Sequence, residues 1–131
     1  MPTVIASACC CGVTCRWHGK PTRKSARIRS LEEIGYIVVP VCPEMLGGLP
    51  CPRPPITSRK GRVAETDPET RTMRGRDRTA EFQAGAAATV RIARRKGVVA
   101  AYMFRLSPSC APSGIAGRAL TEAGIPVIPI W

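Results

Sequence analysis

Seven cysteines and a single histidine are the side chains of this 131-residue sequence best suited to hold a metal or attack a bond. An odd number of cysteines cannot pair completely. At about 5% of the chain they fall short of the ~8–10% of a disulfide scaffold. The opening MPTVIASACCCG has no basic segment, and its apolar stretch Val4–Ala8 is too short for the core of a secretion signal. The chain is therefore expected in a reducing cytoplasm, where cysteines act as ligands or nucleophiles more often than as bridges. Cys9, Cys42 and Cys110 lie 33 and then 68 residues apart, so no local metal motif joins them. A glycine-rich phosphate loop, a Ser–His–Asp set and a His-Glu-x-x-His helix are all absent.

The elements that must position these residues follow from apolar periodicity. Thr3–Ser7 (TVIAS) reads as a strand. Lys20–Ile34 is basic and then amphipathic, with Ile28, Leu31 and Ile34 at helical spacing and Gly35 as a stop. Tyr36–Val41 (YIVVPV) is a continuous β-branched run, expected as a strand buried on both faces. From Gly47 to Gly75 the pattern is irregular, and residues 47–75 are expected as one long loop. Asp77 or Thr79 can cap a helix with Phe82, Ala86, Val90 and Ala93 on its apolar face, ending in Arg94-Arg95-Lys96-Gly97. Val98–Phe104 is a further strand, Ile115–Ala123 a short helix, and Pro126–Ile130 a last strand whose prolines suit an edge. Alternating strands and helices predict one α/β domain over residues 1–131: an open, mostly parallel, Rossmann-like sheet with flanking helices.

On this scheme Cys9, Cys42 and Cys110 all fall just past the carboxyl ends of strands, where open α/β sheets bind their ligands. With neighbouring strands ~4.8 Å apart, the three thiols can meet in one pocket. Three soft donors suit zinc, which would need a further ligand (His18 is the only histidine), or a 4Fe–4S cluster with one open, Lewis-acidic iron. Cys10, Cys11, Cys15 and Cys51 are weaker candidates, with Cys15 a spare ligand. Glu44, two residues after Cys42, can shuttle protons. Ser107 and Ser109 flank Pro108 ahead of Cys110 and suit a turn or an N-cap. Arg53 before Pro54-Pro55 reads as a stiff basic finger toward an anion.

The charge balance is lopsided: 20 Lys and Arg against 9 Asp and Glu, a formal net charge of +11. It fits either a solvated surface or a nucleic-acid partner. With two Phe, two Tyr and two Trp, an aromatic platform for single strands is not expected. No apolar run approaches the ~18 residues of a membrane span.

Four motifs run in the order in which the thiouracil desulfidase family carries them: SAC-x-x-G-x-x-CR (Ser7–Arg16), VPVCPE-x-x-GGLP-x-PRPP (Val39–Pro55), GRD-x-T-x-x-F-x-x-GA (Gly75–Ala86) and SPSC (Ser107–Cys110). The chain resembles that family over nearly its whole length. The resemblance implies an α/β fold with a 4Fe–4S cluster on Cys9, Cys42 and Cys110. It also implies capture of the sulfur of a thiolated uracil, with water supplying oxygen and sulfide leaving without net redox. It makes Glu44 the general acid/base and Ser109, with Ser107 second, the residues that orient substrate or water. The sequence departs from the family at Trp17-His18, where Tyr-Asp is usual, and in a shorter loop after Cys110. Two expectations follow. One is a desulfidase acting on thiolated uracil, free (2-thiouracil) or in tRNA as 4-thiouridine; the other is an inactive basic iron–sulfur or zinc module that binds RNA.

Overall fold

A computed structural model describes the chain from Met1 to Trp131. It runs β1 (Thr3–Ser7), α1 (Ala26–Glu33), β2 (Ile37–Val41), α2 (Pro43–Leu46), β3 (Ile56–Arg59), β4 (Arg62–Glu65), α3 (Thr79–Lys96), β5 (Ala100–Phe104), α4 (Ile115–Glu122) and β6 (Val127–Ile130). Four strands form a parallel sheet in the order β2-β1-β5-β6. The α/β expectation holds. Because the chain leaves β1 toward one edge and later returns to pair β5 on its other side, the order reverses between β1 and β5. That reversal opens a crevice above their carboxyl ends.

Side-chain alternation along the central strands builds the core. Val4 and Ala6 face one layer with Ile28 and Leu31 of α1. Ile5, Ala101 and Met103 face the other, against Ala93 of α3 and Leu120 of α4. Successive strand residues point to opposite faces, so a strand buried on both must be apolar throughout. β1 meets that condition: Val4, Ile5 and Ala6 are fully buried.

β2 does not. Its Ile37 through Pro40 are exposed or half-buried, and only Val41 is buried. The expected doubly buried strand is an edge strand, and Pro40 gives the reason: without an N–H it cannot serve a central ladder, but an edge tolerates it. Pro129 marks the opposite edge in β6 in the same way.

Residues 47–75 are also more ordered than their composition suggests. β3 and β4 pair antiparallel from Ile56↔Glu65 to Arg59↔Arg62, turning through Lys60 and Gly61, both at positive φ. Val63 anchors this hairpin against Phe82 of α3 and Leu49. Too few apolar residues alternate in each four-residue strand to stand out in the sequence.

Helix ends follow local chemistry. Ser25 caps α1, its Oγ accepting the Arg27 N–H at 3.3 Å; the helix therefore starts at Ala26, and the basic residues 20–24 precede it. At α3 the Asp77 carboxylate accepts the Thr79 N–H at 2.8 Å. Gly97 closes the other end in the left-handed region at φ 61° after three cations in the last turn. No helix is long and apolar enough to cross a membrane.

Candidate active site

Each of the three candidate cysteines sits where a strand gives way to a turn. Cys9 lies in a single 3-10 turn, Ala8–Cys10, directly after β1. Its carbonyl accepts the Thr22 hydroxyl at 2.8 Å. Cys42 bridges β2 and α2 at the N-cap, with Pro43 at the first helical position, where its fixed φ is already helical. Cys110 ends the turn after β5, which Ser107 organises: its Oγ accepts the N–H groups of Ser109 and Cys110 at 3.1 and 3.0 Å. Ser7 ties the ends of β1 and β5 together by accepting the Phe104 N–H at 2.7 Å.

These turns surround a cavity of about 350 Å³ lined by Cys9, Cys42, Cys110, Glu44 and Ser107, with Cys15 as a fourth thiol. All seven cysteines are free. The Cys42 thiol points to the Cys15 carbonyl at 4.0 Å. Thiol hydrogen bonds from Cys10 and Cys15, then the Arg16 guanidinium, hold Cys9 well below the ordinary thiol range. The Cys15 thiol, then the Met45 N–H and the Arg53 charge, lower Cys42. Cys10 and Cys15 are pushed up correspondingly, by their thiolate neighbours first and then by burial. Burial raises Cys110 to about 12. The four thiols of Cys9, Cys15, Cys42 and Cys110 make a soft, sulfur-rich lining for the pocket.

Glu44 is the one carboxylate on the cavity wall. Arg53 forks onto it, Nη2 lying 3.2 Å from Oε2 and Nε 3.4 Å from Oε1. The arginine side chain is only 4% exposed and is fixed further by donating Nη1 to the Pro50 carbonyl at 3.1 Å. Arg53 is therefore not the free basic finger its place before Pro54-Pro55 suggests. The chain folds it back, its own N–H donating to the Trp17 carbonyl at 2.8 Å, and it orients Glu44 instead.

The donor set fits a polynuclear iron–sulfur group better than a single ion. No three His, Cys, Asp or Glu side chains are arranged to hold one metal ion. A cube of iron and sulfur instead spreads its three thiolates over three irons. Cys9, Cys42 and Cys110 reach the same cavity from three separate turns, so each could supply one iron of such a group.

Of the expected residues, the structure brings together Cys9, Cys42, Cys110, Glu44 and Ser107. Ser109 does not join them: it is fully buried behind the wall, and its Oγ has no hydrogen-bond partner. Its carbonyl instead accepts the N–H groups of Ala116 and Gly117, which fastens the turn to α4. Of the two serines, only Ser107 lines the cavity. Ser107 Oγ, both lone pairs engaged by N–H groups, keeps its own hydrogen to donate.

Sequence reasoning did not find the part played by Arg16, whose guanidinium lies over the Phe104 ring at 4.2 Å on the cavity wall. Its signals were its position next to Cys15 and its place at the end of the first motif. Cys51, unexplained in the sequence, donates to the Arg16 carbonyl at 3.2 Å and ties the proline-rich loop to the site.

Comparison with known proteins agrees with this fold. A protein of Bacillus subtilis (strain 168) called uncharacterized protein YbbK is 31% identical over 130 residues, covering 93% of this chain and 85% of its own length. The solved structure of the [4Fe–4S]-dependent thiouracil desulfidase TudS superposes with a TM-score of 0.83 at 30% identity, covering 98% of this chain and 91% of that one. The family model for 2-thiouracil desulfurase matches residues 4–127, and the chain belongs to that family.

Proposed function

We propose that the protein removes sulfur from a thiolated uracil by hydrolytic exchange for oxygen, with a 4Fe–4S cluster on Cys9, Cys42 and Cys110. One observation carries the reading: three soft thiols from three strand ends share a cavity with a single oriented carboxylate. When bound, the cluster supplies an open iron as a Lewis acid for sulfur.

The chain's own groups do the rest. Glu44, fixed by the Arg53 fork, takes a proton from water as it attacks the thiocarbonyl carbon and returns it to the departing sulfur. The second water proton follows the same route, so thiocarbonyl plus water gives carbonyl plus hydrogen sulfide, and no electrons are exchanged. Ser107 donates its remaining hydrogen to the substrate or to the water. The apolar walls limit competing solvent, which strengthens both interactions. Ser109 acts through the turn that presents Ser107 and Cys110.

A substrate carried on tRNA is the finer part of this reading. A second groove, lined by Arg59, Lys60, Arg118 and Ser113 among others, shares Pro108 with the cavity wall. A polyanion lying there would bring its base to the thiols.

Anaerobic reconstitution, iron and sulfide analysis, and incubation with 2-thiouracil and with 4-thiouridine test the proposal. Loss of thiocarbonyl absorbance with stoichiometric sulfide, and oxygen-18 from labelled water in the product, are expected. A fully loaded protein that releases no sulfide from either substrate overturns the activity. A Cys9→Ser protein with undiminished cluster content overturns the ligand assignment.

A further inference from the structure

Arg16 presents an unresolved chemical demand. Its Nε and Nη2 are buried and neither has a hydrogen-bond acceptor. Two desolvated N–H donors on a cation are costly, since a donor hidden from water without a partner forfeits the hydrogen bond water would have given it. Stacking on Phe104 at 4.2 Å offsets part of that cost by a cation–π attraction, but an aromatic face does not satisfy in-plane N–H groups. The arginine backbone is nevertheless held firmly: its carbonyl accepts the Gly19 N–H at 2.9 Å and the Cys51 thiol at 3.2 Å. A side chain pinned at both ends with two idle donors is waiting for an acceptor.

The acceptor chemistry that the cavity offers is sulfur, since four cysteines line it with Arg16. Arg16 and Cys9 line the same cavity, and the guanidinium charge favours the Cys9 thiolate. A neutral thiol is a poor acceptor, whereas a thiolate bound to iron is a good one. Charge-assisted N–H bonds to such a sulfur, and the net charge around a cluster, are the levers by which a protein sets cluster potential and retention.

We propose that Arg16 is a positioning residue for the metal centre, its stacked guanidinium donating to the Cys9 thiolate and holding the negative charge of the loaded site. The inference rests on the cofactor reading above. It predicts an effect on the cluster itself, independent of turnover. Lysine retains the charge but lacks the planar fork and stacks less well, so it separates charge from geometry.

The test is a set of reconstituted variants measured for iron and sulfide content, reduction potential, and rate of cluster loss to an iron chelator. Arg16→Met is expected to load but to show a more negative potential and a loss rate about 10- to 100-fold faster, with Arg16→Lys between it and the wild type. Wild-type potential and loss rate in Arg16→Met overturn the inference. Should the methionine variant fail to fold, Arg16→Lys decides alone: a shift in the same direction supports the donor role, and wild-type values overturn it. Wild-type protein that takes up no cluster overturns the cofactor reading, and this inference with it.

Discussion

The Glu44–Arg53 pair makes the carboxylate a part with one orientation. A bidentate guanidinium fixes both oxygens, and the arginine is itself too buried to leave. Replacing Glu44 by Gln removes the proton carrier while keeping its shape. The expected result is a kcat lower by about 10²- to 10⁴-fold with iron content unchanged. Arg53→Met should also lower kcat, by releasing Glu44 from its pose. Because both substitutions then strike one function, the double variant should cost hardly more than Glu44→Gln alone. Steady-state kcat for the four proteins checks this, and fully additive losses would show that Arg53 acts elsewhere. The sequence made Glu44 visible through its spacing from Cys42. It could not show that Arg53, nine residues on, folds back onto it, because that contact is made by the loop's path and not by local periodicity.

Among the elements, the short helix α2 carries Glu44 and follows Cys42, so its seat on α3 decides where both point. That seat is made by two glycines. A Cβ on Gly85 would come within 1.8 Å of the Pro43 carbonyl oxygen, and one on Gly47 within 1.9 Å of the Glu81 carbonyl oxygen. Neither neighbour is a side chain that can swing away. Gly85→Ala should therefore force the helices apart, costing about 1–3 kcal/mol as overpacking of a filled site does, despite alanine's better helix propensity. Chemical denaturation measures that loss, and reduced iron uptake at equal protein concentration would show that the displacement reaches Cys42. Unchanged stability would mean that α2 is not seated where this contact requires. Much of the architecture was legible beforehand: β1, α3, β5, α4 and β6 all lie within the stretches their periodicity marked. The hairpin of β3 and β4 was not, since its hold on the domain comes from Val63 meeting Phe82 across the fold. β2 misled in its burial because a β-branched run looks the same at an edge as in the centre, and Pro40 was the residue that distinguished them.

Across the whole molecule, the net charge of +11 and the cysteine count are separate problems that meet at one surface. The cysteines resolve inward. Three reach the cavity from strand ends, Cys15 lines it beside them, and Cys51 fastens the loop that carries Arg53. Little of the charge is needed for that, because Arg53 is spent on Glu44 and Arg16 on the cavity wall. Arg59, Lys60 and Arg118 remain exposed around the groove that adjoins the site through Pro108. If a polyanion lies in that groove, binding must release counterions, and log K should fall with log salt by about 0.9 for each duplex phosphate neutralised, or about 0.7 for a single strand. Binding of thiolated tRNA should therefore weaken steeply as salt rises. An Arg59→Gln, Lys60→Gln variant should show a slope shallower by about two phosphates' worth, while its turnover of free 2-thiouracil stays at the wild-type rate. Titrations at several salt concentrations, paired with a desulfidation assay on the free base, read both quantities. A salt slope unaltered by the two substitutions would detach the groove from substrate recognition and leave the free base as the substrate that the cavity alone can explain.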